Sequence, residues 1–107
     1  MLRHMVLFTL KPEVETTERG VLFEQIEKLS DIGSVQRLVI GSLLDPRDPA
    51  YRDHMSRDYE YALLIEFDDE EGLYAYQKEP YHVEVAREIR RHVSAITVMD
   101  FTTQDTG

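Results

Sequence analysis

Apolar residues along this chain alternate every second position, then shift to a three-to-four-residue spacing, and the cycle occurs twice. Arg3 to Leu10 reads as a strand that stops at Lys11-Pro12. Both of its alternating sets are apolar: Met5 and Leu7 on one side, Val6, Phe8 and Leu10 on the other, with His4 in line with the second set. A first helix follows, with Thr16 or Thr17 as its cap and Glu15 and Glu18 near its positive end. Leu22, Ile26 and Leu29 form its inner stripe, helped by Val21 and Phe23, and Gly33 marks its stop.

Val35 to Leu44 is the second strand, with Leu38 and Ile40 on one face and Val39 and Leu43 on the other. Asp45 to Asp58 is a long connection carrying Pro46, Pro49 and mixed charge. A lid, a dimer contact and a solvated hairpin extension all fit it. Tyr59 to Phe67 is the clearest strand: Tyr59, Tyr61, Leu63, Ile65 and Phe67 share one face, Ala62 and Leu64 the other. After the acidic turn Asp68-Asp69-Glu70-Glu71 comes a short helical segment, Leu73 to Lys78, which Pro80 breaks. A longer helix runs from Tyr81 to His92, with Val83, Ala86, Ile89 and Val93 as its expected buried stripe and Glu84, Arg87, Glu88, Arg90 and Arg91 outside. Glu84–Arg87 and Glu88–Arg91 are spaced to pair on the surface. Ala95 to Phe101 is a last strand, apolar on both sides, and 103–107 is a polar tail.

The order is β-α-β-β-α-β, the α+β ferredoxin-like arrangement, spread over residues 2–102 as one domain. Two helices cover only one face of such a sheet. The reading places Phe8, Tyr59, Tyr61, Leu63, Ile65 and Phe67 on the bare face, where each forgoes about 1.5–3 kcal/mol if left in water. A second copy of the chain is the expected cover, giving a homodimer.

Composition narrows the partners. A net charge of −9 disfavours phosphate backbones and anionic membranes, so neither nucleic acid nor membrane is expected. With no cysteine there is no disulfide and no thiolate chemistry. The N-terminus enters a strand pattern directly instead of a signal-peptide layout, so a cytoplasmic address is the default.

The chemistry-bearing residues gather at the helix break, where Tyr76, Tyr81 and His82 come close. His82 falls in the first turn after Pro80. The positive helix end disfavours an imidazolium there and biases the ring towards the neutral, proton-accepting form. Two readings stand: a histidine holding the break rigid, or a general base with Tyr76 hydrogen-bonding a developing oxyanion. His4 reads as either a satisfied core residue or a site residue. His54 lies in a charged loop and His92 at a helix C-terminus. No metal-ligand spacing and no phosphate-cradling glycine loop is present, so no metal and no cofactor is expected. The arginines of the last helix fit a solvated face better than an anion site.

Five stretches together carry a resemblance: Arg3-His4-Met5-Val6-Leu7-Phe8, Gly33-Ser34-Val35, Tyr59 through Phe67, Tyr76 through Pro80-Tyr81-His82, and Val98-Met99-Asp100-Phe101. They resemble the stress-responsive dimeric A/B barrel (Dabb) domain. The resemblance implies a homodimeric α/β barrel and a small apolar carbonyl compound as ligand. In a plant polyketide cyclase of this family, a tyrosine and a histidine at the interval of Tyr76 and His82 catalyse an aldol closure. It implies His82 and Tyr76 as catalytic residues and His4 as a pocket residue; Phe8, Tyr59, Tyr61, Leu63 and Tyr81 are the further residues expected to line the cavity. Two pocket positions depart from that cyclase: Tyr61 replaces a histidine, and Phe23-Glu24-Gln25-Ile26 carries no tyrosine. The family also admits a non-enzymatic stress-related binding protein and, by analogy alone, a cofactor-free or heme-dependent monooxygenase.

Overall fold

The computed structural model describes residues 1–45, 47–54 and 58–104. The elements are β1 (Leu2–Leu10), α1 (Thr16–Glu27) continued by a 3-10 turn (Lys28–Asp31), β2 (Arg37–Ser42), α2 (Pro49–Arg52), β3 (Tyr61–Phe67), α3 (Glu70–Lys78), α4 (Pro80–His92) and β4 (Val93–Thr102). The four strands form one open sheet in the order β2-β3-β1-β4, with every neighbouring pair antiparallel. β1 and β2 therefore run parallel with β3 inserted between them, the ferredoxin-like split βαβ. Among the described residues no helix is long and apolar enough to cross a membrane.

Caps decide where the helices start. Glu15, not Thr16 or Thr17, caps α1 through a reciprocal box with Glu18, whose carboxylate accepts the Glu15 N–H at 3.3 Å. Asp69 accepts the Gly72 N–H at 2.9 Å, so α3 begins at Glu70, three residues before Leu73, and absorbs part of the acidic turn. Asp48 caps α2 in the same way, which gives the long connection a helical turn of its own. Pro46 and residues 55–57, part of the expected lid or dimer contact, lie outside the described residues. No glycine among the described residues has a positive φ, so Gly33 is not a left-handed stop; Ile32, in extended backbone, ends the 3-10 turn. The C-terminal strand reaches Thr102, and Thr103 donates its N–H to the Met1 carbonyl at 2.8 Å. That end of the chain is tied down as far as Thr103, the first residue of the polar tail.

The main correction concerns which face is bare. Phe8, Leu63, Ile65 and Phe67 are almost fully buried under the helices, and Tyr61 packs on the same side. The open side carries Met5, Leu7, Val39, Leu64, Met99 and Phe101 instead. Alternation separates the two sets of a strand but does not say which set meets the helices. The bulkier set went under them, because it withdraws more apolar area from water there. The open side stays apolar, with Val39, Met99 and Phe101 exposed at 42%, 48% and 45%.

The helix stripes need a smaller correction. Leu22, Ile26 and Leu29 are buried as expected, but Val21 is exposed. On α4 the buried positions are Val85 and Ile89, while Val83 is 42% exposed. Starting the helix at Pro80 turns its inner face to His82, Val85, Ala86 and Ile89. Glu88 and Arg91 pair at 3.0 Å; Glu84 and Arg87 form no ion pair among the described residues.

These assignments separate by mutation. Ile65→Ala should lower unfolding stability by about 2–5 kcal/mol, whereas Val83→Ala should stay within about 0.5 kcal/mol of the parent. Urea denaturation measures both. Equal losses would contradict the packing of these two positions.

Candidate functional site

The site is built by the break between α3 and α4. A single residue, Glu79, joins them in extended conformation, and Pro80 opens α4 where its missing N–H costs nothing. The last turn of α3 leaves carbonyls with no donor of their own helix. The Glu79 N–H closes on the Tyr76 carbonyl at 3.1 Å. The Gln77 carbonyl accepts from Nδ1–H of His82 at 3.1 Å. A carbonyl can only accept, so this bond places the His82 proton on Nδ1 and leaves the Nε2 lone pair available. Burial lowers the His82 pKa below its ordinary 6.5. The neighbouring charges of His4 and Arg90 push the same way, against the opposing effect of the Gln77 hydrogen bond.

Tyr76 lies beside it, almost fully buried, its ring centroid 4.3 Å from that of His82 and 5.1 Å from that of Phe67. Burial pushes its phenol pKa well up, so the hydroxyl keeps its proton at all ordinary pH. Among the described residues nothing hydrogen-bonds that hydroxyl. His4 completes the group, with its ring 6.1 Å from that of Tyr76. His4 Nδ1 donates to Asp100 Oδ1 at 2.5 Å, across the β1–β4 pairing in which these two residues face each other. The carboxylate orients the ring and assigns its Nδ1 proton, which leaves Nε2 as the second ring nitrogen.

These side chains stand at one end of a cavity of about 380 Å³ between α4 and the sheet. Val6, Leu63, Ile96 and Val98 form its sheet wall, and Val85, Ala86 and Ile89 its helix wall. The cavity exists because small and β-branched side chains face each other there. At one end the gap is filled by Phe8, Phe23 and Tyr61, whose ring centroids lie 5.0–6.3 Å apart. At the other end it is filled by Phe67 and Tyr76. Its size and apolar walls with a few convergent polar groups are those of a small-molecule site.

Of the residues expected at the site, the structure brings together His82, Tyr76, His4 and Leu63. Four others lie outside the cavity wall. Phe8 and Tyr61 belong to the aromatic plug, and the Tyr61 hydroxyl accepts from Arg19 at 3.3 Å. Tyr59 precedes β3, and its hydroxyl pairs with Thr97 on the open side of the sheet at 2.5 Å. Tyr81 is close to the break in sequence, but its hydroxyl donates to the Gln25 carbonyl of α1 at 3.0 Å, which makes it a tie between the two helices. Three site residues escaped the sequence reading: Asp100, Gln77 and Arg90. An aspartate inside the apolar strand Val98-Met99-Asp100-Phe101 was a usable signal for the first. Arg90 sits eight residues after His82 and four after Ala86, on one row of the helix, and that spacing was a signal as well. The Gln77 carbonyl gave none, because a backbone acceptor is freed by the break itself.

The model of the Stress Responsive A/B Barrel Domain matches residues 2–103. No curated protein matches the chain. Among solved structures, a hydroxynitrile lyase from Passiflora edulis is similar with a TM-score of 0.81 at 17% identity, covering 99% of this chain and 95% of that one. A Dabb family protein with a ferredoxin-like fold from Mesorhizobium loti gives 0.78 at 24% identity, with 97% of each chain covered. A dimeric ferredoxin-like protein of unknown function from Thermobifida fusca gives 0.77 at 21% identity, covering 95% of this chain and 90% of that one. At these identities the likeness is one of fold.

Nitrogen-15 NMR of the imidazoles checks the site directly. His82 should be the neutral Nδ1–H tautomer at pH 7 and should titrate below 6.5. An Nε2–H tautomer, or a midpoint at or above 6.5, would contradict the assignment. The sign for stability follows. Because the folded state binds the His82 proton less well than the unfolded chain, this residue makes folding weaker as the pH falls through the window beneath 6.5.

Proposed function

This chain belongs to the Stress Responsive A/B Barrel Domain family, and on that premise we propose that it binds a small apolar carbonyl compound and moves a proton on it, with His82 as the base and Tyr76 as the hydrogen-bond donor. One observation carries the reading. A phenol that keeps its proton and an imidazole held neutral stand 4.3 Å apart, ring to ring, at the end of an apolar cavity. Nε2 of His82 takes the proton from the carbon next to the carbonyl. The Tyr76 hydroxyl donates to the carbonyl oxygen, most strongly once that oxygen carries the enolate charge. The imidazolium then returns the proton to the carbon or oxygen that needs it. An enolate formed in this way can attack a second carbonyl of the same molecule, the cyclase outcome; in the reverse sense His82 takes the proton of a hydroxyl, the adjacent carbon–carbon bond breaks as the carbonyl forms, and its electron pair leaves on the released carbanion, the lyase outcome. A hydroxynitrile lyase on this fold supports that class of step. His4, oriented by Asp100, supplies a second imidazole beside Tyr76 at the same end of the cavity.

The same proposal includes a homodimer. The open side of the sheet presents Met5, Leu7, Val39, Leu64, Met99 and Phe101 with no helix over them. The dimeric Thermobifida fusca structure supports a second copy as the cover. Shielding that face stiffens the sheet that forms the cavity floor.

Exchange of the α-protons of 2-octanone in D₂O, followed by proton NMR, tests the chemistry without presuming a natural substrate. The protein should accelerate exchange. His82→Ala should lose a factor on the order of 10²–10⁴, and Tyr76→Phe about 10²–10³. The rate should rise with pH to a plateau near neutrality, with its midpoint below 6.5, since the neutral imidazole is the active form. Exchange that His82→Ala leaves untouched would overturn the catalytic reading, whereas binding without exchange would favour a binding protein.

The dimer is tested by sedimentation at micromolar concentration. The parent chain should run as two copies, and Leu64→Glu, which puts a charge in the middle of the open face, should run as one. A single-copy parent would contradict it.

A further inference from the structure

Arg90 is solvent-exposed, as expected of the outside of the last helix, and it also lines the rim of the cavity. His82, Ala86 and Arg90 lie four residues apart along α4 and so share one row of that helix. The row spans two helical turns, about 12 Å along the axis. Helical side chains lean towards the N-terminus, which tilts the guanidinium back over Ala86 towards His82. The charge of Arg90 is felt at His82, where it disfavours protonation. Among the described residues Arg90 has no ion pair and no hydrogen bond, while its neighbour Arg91 is held by Glu88 at 3.0 Å.

The cavity's charge is the inverse of the chain's. The sequence carries 21 acidic residues against 12 basic ones. Not one of the described acidic residues lines the cavity, which holds a guanidinium, two imidazoles and a phenol. Asp100 stays behind His4, engaged with its Nδ1, and takes no part in the wall. A guanidinium without a carboxylate partner, at the rim of an apolar chamber, suits a ligand that brings its own carboxylate.

We propose that Arg90 is a binding residue for a carboxylate and that the ligand is an apolar oxo acid: its carboxylate on Arg90, its aliphatic part against Val6, Val98 and Ile89, and its carbonyl at Tyr76 and His82. This rests on the reading of the cavity as a carbonyl site and names the class of compound it takes. Neutral ketones would bind without the anchor, and amines would be repelled by it.

Hexanoate and hexanamide serve as the probe pair, since they differ in charge and hardly in shape. Amide chemical-shift titrations give both affinities and locate the binding. The parent chain should bind hexanoate at least tenfold more tightly than hexanamide at low ionic strength. Arg90→Gln should erase that ratio, and Arg90→Lys should keep part of it, having the charge but not the fork. Arg87→Gln, on the same helix but outside the cavity wall, should keep it whole. If Arg90→Gln does not fold, salt decides: added sodium chloride should weaken hexanoate binding and spare hexanamide. Equal affinity of the parent for both probes, or a ratio that survives Arg90→Gln, would overturn this proposal and leave the carbonyl-site reading standing. Binding of neither probe near Tyr76 and His82 would remove both.

Discussion

Small side chains facing each other across a sheet and a helix leave a gap, and the rest of the structure depends on that gap staying open. Val6, Val98 and Leu63 look across at Val85 and Ala86, and none of them is long enough to close the distance. Large rings could close it, but they are used at the two ends. Phe8, Phe23 and Tyr61 pack at one end, and Phe67 and Tyr76 at the other. Protein interiors are otherwise packed to near-crystal density, and empty volume costs stability. An apolar cleft of about 380 Å³, open to solvent where Ile96 and Val98 are exposed, is a feature to be explained by what enters it.

The helix break decides which chemistry meets that void. An unbroken helix would have spent the Gln77 carbonyl on the backbone N–H four residues later. With Pro80 starting a new helix, that carbonyl takes the His82 ring instead. One backbone acceptor thereby selects the tautomer and aims the lone pair, while burial keeps the ring neutral. Tyr76, on the preceding turn, is buried by the same step in the chain. Sequence, local structure and proton affinity are here a single causal line: a proline creates an orphan carbonyl, the carbonyl orients an imidazole, and the imidazole keeps its Nε2 lone pair free.

Much of this was legible in the residues. The strand and helix order followed from apolar spacing, and Pro80 announced the break that joins Tyr76 to His82. The limits were geometric. In Tyr61–Phe67 one set is bulky and wholly apolar while the other is Ala62, Leu64 and Glu66; the bulky set belongs under the helices, and the reading put it on the bare face because both sets of Arg3–Leu10 looked apolar. Tyr81 is adjacent to His82 in sequence, yet it points to α1, because successive helical residues are turned about 100° apart. His4 and Asp100 are 96 residues apart, and only strand register brings them into contact. Arg90 is exposed, as its charge suggested, but its row on α4, shared with His82, also brings it to the rim of the cavity, which charge alone did not reveal.

The central claim is that a carbonyl compound sits in this cavity with its oxygen on Tyr76 and its α-carbon beside His82. A crystal structure of the protein grown with 2-octanone tests that placement most directly. The account expects the ketone oxygen within hydrogen-bonding distance of the Tyr76 hydroxyl and the α-carbon about 3–3.5 Å from His82 Nε2. A ketone bound elsewhere, or a cavity closed over by collapsed side chains at saturating ketone, would contradict it.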